Sequence, residues 1–102
     1  MVEIIQKLLV SDKPITKWVH QNPSFAITAI GLKKANKLKK HLSGAPTTLM
    51  VLHGTITYIA DNKKQRLTVF ESLEIPVEEW HEVIALEDSI FLLIKNKHQA
   101  VH

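Results

Sequence analysis

The stretch TTLMVLHGTITYIA, residues 47–60, decides the fold class. Two short runs rich in apolar, β-branched and aromatic side chains, residues 49–52 and 55–60, are separated by Gly54. Each is shorter than an ordinary helix, and side chains branched at Cβ suit a pleated strand. Upstream, Ser43-Gly44-Ala45-Pro46 is a turn; downstream, Asp61-Asn62-Lys63-Lys64 makes a hairpin loop. One pair of the first run, either Leu49 with Val51 or Met50 with Leu52, lines the interior, because strand side chains alternate with period two.

Working outward, the same pattern recurs on both sides. Residues 15–20 alternate loosely, Asn22-Pro23 marks a turn, and Phe25, Ile27 and Ala29 alternate with their neighbours. Residues 67–70 form a short strand, Pro76 precedes a polar turn, and residues 81–86 and 90–94 are two strands around Glu87-Asp88. Six or more short strands at regular spacing imply a sandwich or a closed barrel. Two segments are ambiguous. Residues 2–10 place Val2, Ile5, Leu8 and Leu9 at helical spacing, with a strand as the alternative. In residues 32–42, Leu32, Ala35, Leu38 and Leu42 line one helical face, whereas a corner at Ala35-Asn36 followed by a strand sets Lys37, Lys39 and His41 on one face.

The chain has 102 residues, 45% of them apolar, which makes one domain and is too few for two separate cores. No cysteine is present, so disulfides, zinc–thiolate sites and thiol catalysis are excluded. No apolar run approaches the ~20 residues that cross a bilayer. The apolar residues of 2–10 are interrupted by Glu3, Gln6 and Lys7 with no small-residue cleavage site behind them, so a cytoplasmic location is expected. The net charge of +3 is mildly basic and bears mainly on solubility.

Lys40-His41, Gly44 and the run Thr48 to Gly54, then Ile75-Pro76, Trp80-His81, Ala85 to Ser89 and Phe91 to Ile94, together resemble the small single-domain cupins over residues 25–94. The resemblance implies an all-β jelly-roll barrel, the double-stranded β-helix, with its core at about residues 24–95 and a short helix as one reading of the N-terminal segment. It also decides residues 32–42 in favour of the corner and strand. The family's first motif runs glycine, five residues, His-x-His, three or four residues, glutamate, six residues, glycine. Here His41 and Gly54 hold their places, while Ala35, Ser43 and Thr47 stand at the opening glycine, the second histidine and the glutamate. In the second motif Pro76 and His81 match, and Phe70, Glu78 and Ala85 replace two glycines and an asparagine.

The spacings are kept and the ligand set is not. The resemblance implies that His41 and His81 point into the barrel, where two neutral imidazoles can hold zinc, nickel, iron, copper or manganese. A serine or threonine hydroxyl stays protonated at neutral pH and is a poor divalent ligand, and Lys39 on the face of His41 adds like-charge repulsion. Without an ion, the two rings would hydrogen-bond to Ser43, Thr47 or water. Ligand-pocket candidates are therefore His41, Ser43, Thr47, His81, Lys39 and Trp80, the last read as barrel mouth or packing surface. Glu78, Glu79 and Glu82 cluster near His81 and are read as a solvated loop. His53 belongs to the rim, and His20, His98 and His102 to polar or terminal contexts. No Ser-His-Asp, Schiff-base lysine or paired-carboxylate arrangement can be recognised.

Three functions follow in order of preference. The first is a small-molecule-binding barrel with a depleted or absent metal site. The second is a divalent-metal enzyme of dioxygenase or isomerase type. The third is a nucleic-acid binder, suggested by Lys33, Lys34, Lys37, Lys39 and Lys40 but opposed by the scarcity of arginine and the lack of interleaved aromatics. Exposed edge strands and the family's habit both imply a homodimer.

Overall fold

Nine antiparallel strands account for the computed structural model, which describes residues 13–41, 44–61 and 63–96; of residues 39–41 only the backbone is described. In chain order they are β1 (Ile15–Gln21), β2 (Phe25–Leu32), β3 (Lys37–His41), β4 (Thr47–His53), β5 (Thr55–Ala60), β6 (Lys63–Thr68), β7 (Ser72–Ile75), β8 (His81–Ala85) and β9 (Ser89–Asn96). They form two sheets. One has the order β1-β2-β9-β4-β7 and the other β3-β8-β5-β6. The segment 2–10, read as helix or strand, lies outside the described residues, as do Leu42, Ser43, Asn62, His98 and His102.

The core forms where the inward faces of the two sheets meet. Burial alternates along β4, with Thr47, Leu49 and Val51 buried and Met50 and Leu52 only partly so, which settles which pair lines the interior. Along β8 the same alternation buries His81, Val83 and Ala85. Leu32, Ile56, Tyr58 and Phe91 join them, each fully shielded from water. Burying one such large side chain contributes about 1.5–3 kcal/mol. A second, smaller cluster lies on the outer face of the five-stranded sheet, where Ala29 and Ile90 are buried among Ile15, Leu52 and Leu92.

Turn chemistry fixes the connections. Asn22 Oδ1 accepts the backbone N–H groups of Ser24 and Phe25 at 2.8 and 2.9 Å, closing the β1–β2 turn ahead of the ladder. The Asp88 carboxylate accepts the Lys34 N–H at 2.8 Å and ties the β2–β3 corner to the β8–β9 turn. Ala35 donates to the Ala85 carbonyl at 2.9 Å and Ala85 returns a bond to the Asn36 carbonyl at 3.0 Å. The corner at Ala35-Asn36 is therefore stapled to β8, and the helical alternative for residues 32–42 is overturned: Lys37–His41 is a strand.

One strand assignment also needs correction. The segment 67–70 is not a strand of its own. β6 begins at Lys63 and ends at Thr68, Val69-Phe70 form a turn, and β7 follows from Ser72. The polar run Lys63-Lys64-Gln65-Arg66 hides a strand because β6 is the sheet's margin, where nearly every side chain meets solvent. Phe70, with φ of 67°, cannot continue a ladder.

Candidate functional site

Strand order brings both motif histidine positions to one end of the barrel. The β3–β8 register sets His41 directly opposite His81, after a shift in register beyond Leu38. Directly opposed residues of an antiparallel pair lie on the same face of a sheet. His81 opens β8, is 2% exposed, and pairs on its other side with Ala60 at the end of β5. Thr47 opens β4 in the facing sheet and is also buried. The side chains of Lys39 and His41 and the whole of Ser43 lie outside the described residues.

His81 is held from two sides. Its Nδ1 lies 3.0 Å from the Glu79 carbonyl oxygen. A carbonyl only accepts, so Nδ1 carries a proton and donates it to Glu79. The ring also stacks on Tyr58, with centroids 5.3 Å apart and planes 22° from parallel. Tyr58 in turn donates its hydroxyl proton to Glu79 Oε1 at 2.6 Å. Burial first, then this hydrogen bond and the Glu79 charge, push the Tyr58 hydroxyl well above the ordinary phenol pKa. Lys63 Nζ stands 5.6 Å from the same ring.

Glu79 thus grips both aromatic rings, one through its main chain and one through its carboxylate. The reading of the three glutamates as a solvated loop is corrected for this residue. Glu79 is half-buried and bonded inward, whereas Glu78 is exposed and Glu82 pairs with Lys37 at 3.8 Å on the outer surface. Tyr58 was legible only as part of the strand run 55–60. The available signal was its alternation with Thr57 and Ile59, which put it on the face of Ile56 and Ala60, next to the strand that His81 opens. Trp80, by contrast, is 47% exposed beside an open cleft of about 290 Å³ lined by Ile59, Asp61 and Glu82, outside the buried cluster.

The described donors do not make up a metal-binding set of three imidazoles and a carboxylate. Among the described residues, no three His, Asp or Glu side chains converge to hold an ion. The Thr47 hydroxyl donates to the Ala45 carbonyl at 3.0 Å, and the inward carboxylate of Glu79 is engaged by Tyr58. What the arrangement offers is a buried imidazole of fixed orientation beside a phenol–carboxylate pair.

Backbone conformation supports the motif alignment independently of side chains. Ala35, Phe70 and Glu78 have φ of 72°, 67° and 62°, and Gly54 has 81°. The first three are the described non-glycine residues with left-handed backbone, and all four stand where the motif spacing places a glycine. The glycines are gone, yet the conformation that favours glycine is kept. Solved structures share the fold over most of the chain. A conserved protein of unknown function from Streptococcus pyogenes superposes with a TM-score of 0.77 at 21% identity, over 87% of this chain and 78% of that one. An RmlC-like cupin from Desulfovibrio desulfuricans gives 0.77 at 20% identity, over 83% of each chain. The fold is that of the cupins. An RmlC-like cupin with a double-stranded β-helix fold from Methanocaldococcus jannaschii is also similar, with a TM-score of 0.74 at 15% identity over 87% and 84% of the two chains. No protein-family model and no curated protein sequence matches. A shared fold assigns no chemistry, which rests on this chain's own residues.

Proposed function

We propose that this cupin barrel, its metal site depleted or absent, binds a small organic molecule at the end where β3, β4 and β8 meet. The observation that carries this reading is the buried His81, fixed through Nδ1 to the Glu79 carbonyl and stacked on Tyr58. A buried imidazole held in one orientation by its main-chain and ring partners is a preorganised element of a recognition site. The register partner His41 supplies a second imidazole position beside it. Replacement of the motif glutamate by Thr47, whose hydroxyl is turned to the Ala45 carbonyl, supports the loss of the ion.

The divalent-metal enzyme is the runner-up, because a histidine that donates through Nδ1 to a carbonyl has the orientation common among metal ligands. Elemental analysis of protein purified without chelator or nickel resin separates the two. Metal well below one equivalent is expected. One equivalent, lost on His81→Ala, would replace the binding reading with the enzyme. The companion measurement is a thermal-shift screen of small polar metabolites, in which stabilising compounds should act on the wild type and not on His81→Ala. We also propose that the chain works as a homodimer, as its long sheet margins suggest.

A further inference from the structure

Two register rows close the end of the barrel where His81 lies, and each carries a lysine among its inward positions. Across the four-stranded sheet, Lys63, Ala60, His81 and His41 oppose one another from β6 to β3. Across the five-stranded sheet, Ala26, Lys95 and Thr47 do so from β2 to β4. The short connection 42–46 runs from His41 to Thr47, so both rows stand at the same end. Opposed residues share a face of their sheet, and His81, Ala26 and Thr47 are buried, which makes both rows inward.

Lys95 therefore holds an inward position on β9, the central strand of its sheet, between two buried neighbours, and is itself exposed. A lysine so placed carries its ammonium along the four-carbon stem to water at the rim. Among the described residues, Lys95 has no ion-pair partner. Lys63 is also exposed, and its Nζ stands 5.6 Å from the centre of the interior Tyr58 ring. Facing sheets lie about 10 Å apart, a gap that two long lysine stems can span from either side. The acids near this end leave that charge uncancelled. The Glu79 carboxylate is held by the Tyr58 hydroxyl, Glu82 pairs with Lys37 on the outer surface, and Asp61 lines the cleft beside Trp80. Two ammonium groups, one from each sheet, thus flank the entrance above a buried imidazole, and like charges held together favour an anion between them. Resting on the binding reading above, we infer that the molecule received here is a small organic anion, its carboxylate or phosphate group held between Lys63 and Lys95. Either group offers charged oxygens that accept hydrogen bonds from an ammonium.

The test is calorimetric titration of the full chain at constant ionic strength, with circular dichroism and thermal melting as the check on folding. The probes are two matched pairs, succinate with succinamide and a hexose phosphate with the free hexose. The wild type should bind the charged member of at least one pair about tenfold more tightly than its neutral counterpart, and which pair it is separates carboxylate from phosphate. Lys63→Gln and Lys95→Gln should each weaken that anion about tenfold and leave the neutral probe unchanged, while Lys95→Arg should keep most of the affinity. Lys64→Gln removes the same charge one residue along, on the outward side of β6 opposite Ile59, and should bind as the wild type does. An equal loss in Lys64→Gln would make the effect one of net charge and overturn the site. Neutral probes bound as tightly as charged ones, and released by His81→Ala, would overturn the anion and leave the binding reading standing. A barrel that takes none of the four probes at millimolar concentration also overturns the anion, whereas the binding reading falls only if the wider metabolite screen is empty as well.

Discussion

Tyr58 joins the interior to the loop before β8, and its hydroxyl makes that link measurable. The phenol is buried, donates to Glu79 and lies against the His81 ring, so ionising it would put a second negative charge beside a carboxylate in a dry site. Its pKa is raised for that reason, with burial the largest cause. The sign of the linkage follows. The native state holds the proton more tightly than the unfolded chain, so the contribution to stability is fully present below the unfolded phenol value of about 10. It is lost as pH climbs beyond that value toward the native one. The chain has a single tyrosine, so tyrosinate absorbance reads this group alone. We expect no ionisation of the native protein as pH passes about 10, then a steep one coincident with unfolding. Glu79→Gln should lower the midpoint only in part, because burial persists. A native protein that titrates at the ordinary phenol value would remove Tyr58 from the interior site.

Elements were legible wherever one face is buried, and turns wherever a residue type announces them. The runs that became β4, β5, β8 and β9 show apolar alternation, and each is a strand close to its expected bounds. β6 was misplaced because its side chains carry no apolar signal, and β7 was missed because its four residues bury only Leu73 and Ile75. The pairing of His41 with His81 follows the motif spacing, but the link through Tyr58 and Glu79 was not legible, since a hydrogen bond between residues 21 positions apart leaves no local pattern. The corners that keep a glycine conformation without glycine give a direct test. A side chain in left-handed backbone costs about 1–2 kcal/mol, against about 0.5–1 kcal/mol for the extra entropy glycine loses on folding. Ala35→Gly should therefore raise the unfolding free energy by roughly 0.5–1 kcal/mol, read as a higher denaturant midpoint with unchanged slope. Gly54→Ala should go the other way and by more, on the order of 3 kcal/mol, because its Cβ would collide with Ser89 Oγ and the Asp88 carbonyl. A destabilised Ala35→Gly would mean that the corner is not held left-handed in solution.

For the whole molecule, topology makes β9 the strand on which assembly turns. It lies between β2 and β4, so the last described strand has to dock between one of the first and one from the middle of the chain before the five-stranded sheet exists. In the other sheet, β5 and β6 are neighbours in sequence, joined through Asp61-Asn62, and pair at little cost in loop closure. Long-range pairing of this kind sets folding in the millisecond-to-second range rather than microseconds. Phe91 is the fully buried residue of β9 that faces Ile30 on one side and Val51 on the other, so it senses the docking step. Phe91→Ala should cost about 3–5 kcal/mol at equilibrium. If β9 must dock at the barrier, roughly half of that loss falls on the folding limb, and refolding should slow by on the order of tenfold or more. Leu67→Ala, in the local β5–β6 hairpin, probes the same core without that long-range step. Stopped-flow refolding of the two variants gives the comparison. Phe91→Ala refolding at the wild-type rate, with the whole effect in faster unfolding, would put β9 docking after the barrier and make the hairpin sheet the nucleus instead.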